Sequence, residues 1–169
     1  MQIISQTIID QLYNNLDNLE LCYLLIDKMS PDAKSEVGFN LPAIIATTNN
    51  LALIKYAHNK MNLNFNAPDE FGYSALHLAA KFNCISTCQY ILESKLADVN
   101  QITYSGYTSL ICAGFSAELM LIQLLINNGA NPLILSPSGK MAVDYALNNP
   151  HPEVIPYLQN LINQEQHHA

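Results

Sequence analysis

The sequence predicts an all-α solenoid of about five helix-turn-helix units with short hairpin-like loops, on three observations. Gly38, Gly72, Gly106 and Gly139 open similar segments at a nearly constant interval of about 34 residues, and a period of this size marks a chain built from stacked supersecondary units. Each segment reads alike: a glycine turn, a short apolar helix, a polar break and a second, amphipathic helix. Half of the 169 residues are apolar and 12% are charged, a balance that supports a packed core rather than a disordered chain.

Residues 1–34 form the least regular unit. Ile4, Ile8, Ile9 and Leu12 have helical spacing, and Leu19 to Lys28 reads as a second helix, so this segment is expected to be a degenerate N-terminal cap. In the next unit (35–68) Leu41-Pro42 disturbs the entry to the first helix. Units 35–68 and 69–102 each carry one extra residue after the second helix, near Asn62 and Leu96. Both lack a glycine there, with Met61 and Lys95 near that position, so their exits are expected to depart from the usual turn. Unit 103–135 is the clearest: Leu119, Leu121, Ile122, Leu124, Leu125 and Ile126 form a broad apolar stripe that stops at Asn128-Gly129, with Pro132 beyond. Ser74 and Thr108 stand where first helices begin and can cap free amides there. The last unit (136–169) turns polar from Asn163 to His168, as an outer cap should, and His167-His168 carry no assigned role. The whole chain is thus expected to be one domain.

These units resemble ankyrin repeats. Ser74-Ala75-Leu76-His77-Leu78-Ala79-Ala80 is similar to the family's Thr-Pro-Leu-His-x-Ala-Ala. Leu124-Leu125-Ile126-Asn127-Asn128-Gly129-Ala130-Asn131-Pro132 matches its Leu-Leu…Gly-Ala-Asp ending, which Ala97-Asp98-Val99-Asn100 and Asn64-Phe65-Asn66 echo. The resemblance covers residues 35–162 and implies an ankyrin-repeat solenoid whose hairpin tips and first helices form a concave groove for a protein partner. It also implies that His77 organises its own repeat by hydrogen bonds instead of acting as a base. Small ankyrin proteins resembling this one are delivered by intracellular bacteria into host cytosol, and a composition rich in Asn and Ile fits an AT-rich genome. A host protein is therefore one expected partner.

On that phase the groove positions are specific. The partner-binding candidates are Phe39, Glu70, Phe71, Tyr73, Lys81, Phe82, Tyr104, Tyr107 and Phe115, centred on the two middle units. Val37, Thr47 and Thr48 are also expected to face solvent. Seven of the chain's fourteen aromatics fall on this face. Clustered exposed aromatics mark interface cores, where a few of them dominate affinity; the competing expectation is that each packs sideways on the next hairpin.

Other functions find little support. The net charge is −7, with seven Lys and no Arg, and nucleic acid or anionic lipid requires clustered cations. The longest apolar run, Leu119 to Ile126, is eight residues broken by Gln123, short of the roughly 20 needed to cross a bilayer. The N-terminus lacks a basic region and meets Asp10 early, unlike a signal peptide. With Cys22, Cys84, Cys88 and Cys112 read as reduced thiols, a cytoplasmic location is expected, or else secretion by a bacterium into host cytosol. Cys84 and Cys88 lie one turn apart, but with His77 and Cys112 as the sole conceivable additions they do not form a zinc pattern. No phosphate loop, HExxH, GxSxG or EF-hand motif occurs. No catalytic residue, metal or cofactor is expected, and the chain is expected to act as a monomer. The alternatives are a targeting domain of an enzyme and a self-associating structural protein.

Overall fold

The computed structural model describes residues 2–167. Among them the chain forms ten α-helices, arranged as five antiparallel pairs. The first helices are α1 (Gln6–Asn14), α3 (Leu41–Thr47), α5 (Ala75–Lys81), α7 (Ser109–Gly114) and α9 (Ala142–Tyr145), the last prolonged by a 3-10 turn at Ala146–Asn148. The second helices are α2 (Leu19–Asp27), α4 (Leu51–Met61), α6 (Ile85–Glu93), α8 (Leu119–Asn127) and α10 (Val154–His167). First helices α3, α5, α7 and α9 stack in one row, and second helices α2, α4, α6 and α8 in another. Of the polar tail, His168 lies outside the described residues.

Helix length and composition differ between the rows for a packing reason. The central first helices are short and buried on nearly every side. They are rich in Ala and Gly, so neighbouring backbones approach closely: a Cβ on Gly114 would lie 2.7 Å from the carbonyl oxygen of Ala142. The second helices bury one stripe each, Leu53, Ile54 and Ala57 on α4 and Leu121, Ile122 and Leu125 on α8. Phe65, Leu76, Ile91 and Leu110 fill the space between the rows, fully buried, each contributing about 1.5–3 kcal/mol.

Four hairpin fingers project from the first-helix row and share one design. In each, the amide of the opening residue donates to a carbonyl four residues on (Ser35 to Phe39, Asp69 to Tyr73, Thr103 to Tyr107, Ser136 to Lys140) at 2.8–2.9 Å. A glycine at positive φ then closes the turn by donating back to the opening carbonyl, as in a type I turn with a glycine bulge. The opening side chain accepts from the returning strand: Ser35 Oγ from Phe39, Asp69 Oδ1 from Phe71 and Tyr73, Thr103 Oγ1 from Tyr107 and Ser136 Oγ from Lys140. Successive exits from the second helices are tied by asparagines, with the Asp98 amide donating to Asn66 Oδ1 (3.0 Å) and the Asn131 amide to Asn100 Oδ1 (2.8 Å).

Several sequence expectations change. Pro42 does not disturb its helix: α3 starts one full pitch before α5, because proline fits the first turn, where its missing N–H has no partner to lose. Asn40 caps that end, accepting from the Ala43 amide at 2.9 Å. The exits without glycine keep the left-handed turn, with Asn62 at φ 50° and Lys95 at φ 53°. After α6 the Lys95 and Leu96 amides donate to Leu92 and Ile91, the same pair of bonds that Gly129 and Ala130 make to Ile126 and Leu125 after α8. Lys95 thus takes a glycine conformation at a local cost of about 1–2 kcal/mol. Thr108 caps α7 through the Ile111 amide at 3.2 Å, whereas Ser74 works together with His77. The N-terminal segment also adds a strand unseen in the pattern: β1 (Ile3–Ile4) pairs in parallel with β2 (Lys34–Ser35).

Candidate partner-binding groove

The inner face runs across the fingers and the exposed side of the first helices. His77 lies beneath it, buried and committed to structure. Its Nδ1 accepts from the Ser74 amide (3.1 Å) and hydroxyl (2.8 Å), which leaves Nε2 protonated to donate to the carbonyls of Gln101 (2.8 Å) and Tyr107 (3.1 Å). The ring therefore ties one unit to the finger of the next, and burial holds its pKa below the usual 6.5. Burial pushes the Cys84 thiol up to about 11 and Cys112 up to about 12, and raises Cys88 further. Burial thus favours the protonated thiols, the opposite of the depressed pKa that activates a nucleophilic cysteine. Among the described residues no group of three or more His, Cys, Asp or Glu is placed to hold a metal ion.

The aromatic candidates divide into two sets. Phe71, Phe82, Tyr104 and Phe115 are 48%, 59%, 73% and 47% exposed. Phe39, Tyr73 and Tyr107 are instead half-buried, because each leans on a neighbour. Phe39 meets Phe71 with ring centres 5.9 Å apart, Tyr73 stands edge-on to His77 at 6.2 Å, and Tyr107 stands edge-on to Tyr145 at 5.7 Å. Phe115 also rests on Tyr145, at 4.9 Å, so ring contacts engage five of the seven aromatics, Phe39, Phe71, Tyr73, Tyr107 and Phe115. Thr48 is buried rather than solvent-facing, its hydroxyl donating to Ile45 O at 2.8 Å. The charged candidates are exposed at the rim: Lys81 Nζ lies 5.6 Å over the Tyr73 ring, and Glu70 faces Lys34 at 3.4 Å.

Two hollows open on this face. One of about 510 Å³ lies in the middle units, lined by Tyr73, Lys81, Phe82, Tyr107, Cys112, Phe115 and Ser116, and it brings five of the nine candidates together. The other, of about 410 Å³, lies nearer the N-terminus between α1 and α3, lined chiefly by Ile9, Tyr13, Val37, Phe39, Ile44, Thr47, Leu78 and Phe82. Phe82 stands between the two and borders both. Tyr104, Phe71 and Glu70 line neither and stand on the finger tips.

Sequence reasoning missed the α1 wall of the second hollow. The signal was present in the pitch: Tyr13, Thr47, Lys81 and Phe115 follow one another at one full period, as do Asp10, Ile44, Leu78 and Cys112. Extending the groove rows one unit backwards would have placed Tyr13 on the face.

A search of the curated proteins returned no significant match. A family model described as ankyrin repeats (3 copies) matches residues 11–103, which is more than half the chain and runs from within α1 past the end of α6. No helix among the described residues is long and apolar enough to cross a membrane. Repeat pitch, helix pairs, glycine-closed fingers and the family match agree, and the chain belongs to the ankyrin-repeat family.

Proposed function

We propose that this protein is a non-catalytic interaction module that holds a protein partner in the aromatic concave groove. Ankyrin repeats commonly mediate protein–protein interaction, and the finer placement rests on one observation: Phe82 and Phe115 stand roughly half exposed on the walls of a hollow whose floor is already packed. Aromatic rings left in water at a concave site lose that exposure on binding, at about 25 cal/mol per Å². The partner contacts are Phe39, Glu70, Phe71, Tyr73, Lys81, Phe82, Tyr104, Tyr107 and Phe115, with Phe82 and Phe115 as anchors. Tyr73 and Tyr107 act mainly by holding the walls.

The test is affinity enrichment from cell extract with the wild type and a Phe82→Ala/Phe115→Ala double variant. A partner held by wild type and lost by the variant, at equal melting temperature, supports the groove; undiminished capture by the variant refutes it. The chain acts as a monomer in this reading, so light scattering should give one mass across concentration.

The absence of Arg and abundance of Asn and Ile are compatible with a more particular version, a bacterial effector acting on a host protein in host cytosol. A translocation reporter fused to the chain decides it, since no signal in host cells would refute this version while leaving the groove intact.

A further inference from the structure

The N-terminal hollow differs from the middle one in its making. Its walls come from three separate elements: α1 through Ile9 and Tyr13, the first finger through Val37 and Phe39, and the helix row through Ile44, Thr47, Leu78 and Phe82. Tyr13 spans the gap between α1 and α3, its hydroxyl donating to Ile44 O at 3.2 Å and meeting the Thr47 hydroxyl. The lining is chiefly apolar. Its volume of about 410 Å³ falls in the range of sites that enclose a ligand, where apolar walls supply affinity and a few polar groups fix orientation.

The rim carries more acid than base. Gln6, on the wall, donates to Asp10 at 2.8 Å, and Asp10 stands one pitch before the lining residue Ile44 in the same row. Glu36 adjoins Val37 at the finger tip, and the Glu70 carboxylate reaches over Gly38. Against these three acids stand Lys34, which faces Glu70, and Lys81, whose ammonium lies 6.0 Å from the ring of the lining residue Phe82. Among the described residues neither Asp10 nor Glu36 is paired with a cation. The whole chain, at −7, adds to the same field. Because Phe82 borders both hollows, an occupant that fills the groove is elongated, which suits a peptide chain better than a compact small molecule.

We infer that the N-terminal hollow is the specificity site of the groove and takes bulky apolar side chains of a partner segment that carries Lys or Arg beside them. The apolar side chains enter between Tyr13 and Phe82, and the cations meet Asp10 and Glu36. This assignment rests on the groove being the binding surface, and adds which segment chemistry it selects. Opposite charge at the rim speeds encounter and rejects acidic segments, while apolar anchoring sets the residence time.

The test uses the full chain and a library of random short peptides displayed on phage, followed by anisotropy titration of labelled peptides from the enriched pool. Enriched peptides should pair Leu, Met or Phe with Lys or Arg. Thr47→Phe, which fills the hollow, should weaken binding tenfold or more, as should Val37→Trp, which covers its mouth from an exposed tip and leaves the helices untouched. Glu36→Lys combined with Asp10→Lys should reverse the preference towards acidic peptides. Phe115→Ala separates the two readings. Peptides that bind Thr47→Phe and Val37→Trp as well as wild type but fail on Phe115→Ala overturn the specificity site and leave the groove standing. Peptides insensitive to all of these variants overturn both. An enriched pool without cations overturns the charge selection.

Discussion

The two ends of the groove are built from the same repeat yet close differently. Between the second and third fingers the contact is backbone to backbone: a Cβ on Gly72 would lie 2.2 Å from the Tyr104 amide nitrogen. The third finger meets the fourth at Gly106, where an added Cβ would lie 2.6 Å from Pro137 Cδ. The first finger meets the second through the Glu70 amide, which donates to the Gly38 carbonyl at 3.3 Å, but there the Cβ position of the glycine faces a flexible side chain, with the Glu70 carboxylate oxygen 2.8 Å away. Phe115 and Tyr107 rest on Tyr145 at 4.9 and 5.7 Å, whereas Tyr13 reaches α3 by its hydroxyl and leaves a hollow beside it. In the middle the aromatics are partly engaged with Tyr145; at the N-terminal end a hollow stays open. Counting aromatics therefore marks a face but does not say which of its side chains are already engaged.

Glycine substitution gives the largest separation of the two ends. Gly72→Ala should cost about 3 kcal/mol or more, because left-handed strain is joined by a backbone overlap that only a shift of the third finger relieves. Gly38→Ala carries the strain, about 1–2 kcal/mol, while Glu70 swings aside. Urea denaturation of the two variants checks this, and equal losses would remove the distinction between a backbone and a side-chain neighbour at the glycine.

Tyr13→Phe comes next. It removes the hydroxyl that bridges α1 to Ile44 and Thr47 and should cost about 1 kcal/mol. Exchange protection should fall in α1 first, with the middle units unchanged. Loss of protection spread evenly over the chain would show the N-terminal end to be as tightly coupled as the rest.

A smaller effect of opposite sign is expected at the exit from α6. Lys95→Gly should stabilise by up to about 1 kcal/mol, because glycine takes φ 53° without strain. The corresponding exit after α8 has glycine already, so Gly129→Lys should destabilise by a similar amount. Melting temperatures of both variants test the pair.

The subtlest expectation concerns pH. Burial depresses the His77 pKa below 6.5 in the folded state, so on acidification through that value the unfolded chain takes up a proton that the folded chain refuses. Its contribution to stability is complete above 6.5 and is lost as pH falls from there towards the folded-state pKa. His77→Gln should therefore show a flatter stability profile than wild type below pH 6.5. Parallel profiles would mean that the ring is not buried and neutral at the junction of the two middle units.

Much of this molecule was legible in its sequence, for local reasons. The constant period located the units, the turn glycines located the fingers, and the Leu119 to Ile126 stripe located a second helix. Each of these is written within a few residues. The exit at Lys95 was not legible, because no lysine declares a left-handed backbone; the bonds to Leu92 and Ile91 and the stacking of the next unit impose it. Pro42 was misread for a related reason, since proline breaks a helix or begins one according to its position by a single turn.

The sequence by itself determined the repeat, the family and the face on which the candidate residues lie. It did so because a solenoid unit makes its contacts with near neighbours, so that each pitch repeats the same local instructions. The tertiary structure alone decided which members of that face are spent on packing and which stand open. Tyr73 and Tyr107 occupy the same place in their repeats as Phe39, yet each meets a different kind of partner: Phe71 of the next finger for Phe39, His77 of its own unit for Tyr73 and Tyr145 of the next unit for Tyr107. The hollow beside Tyr13 exists for the same reason: α1 and α3 come from different units, and the space left between them is a property of their docking.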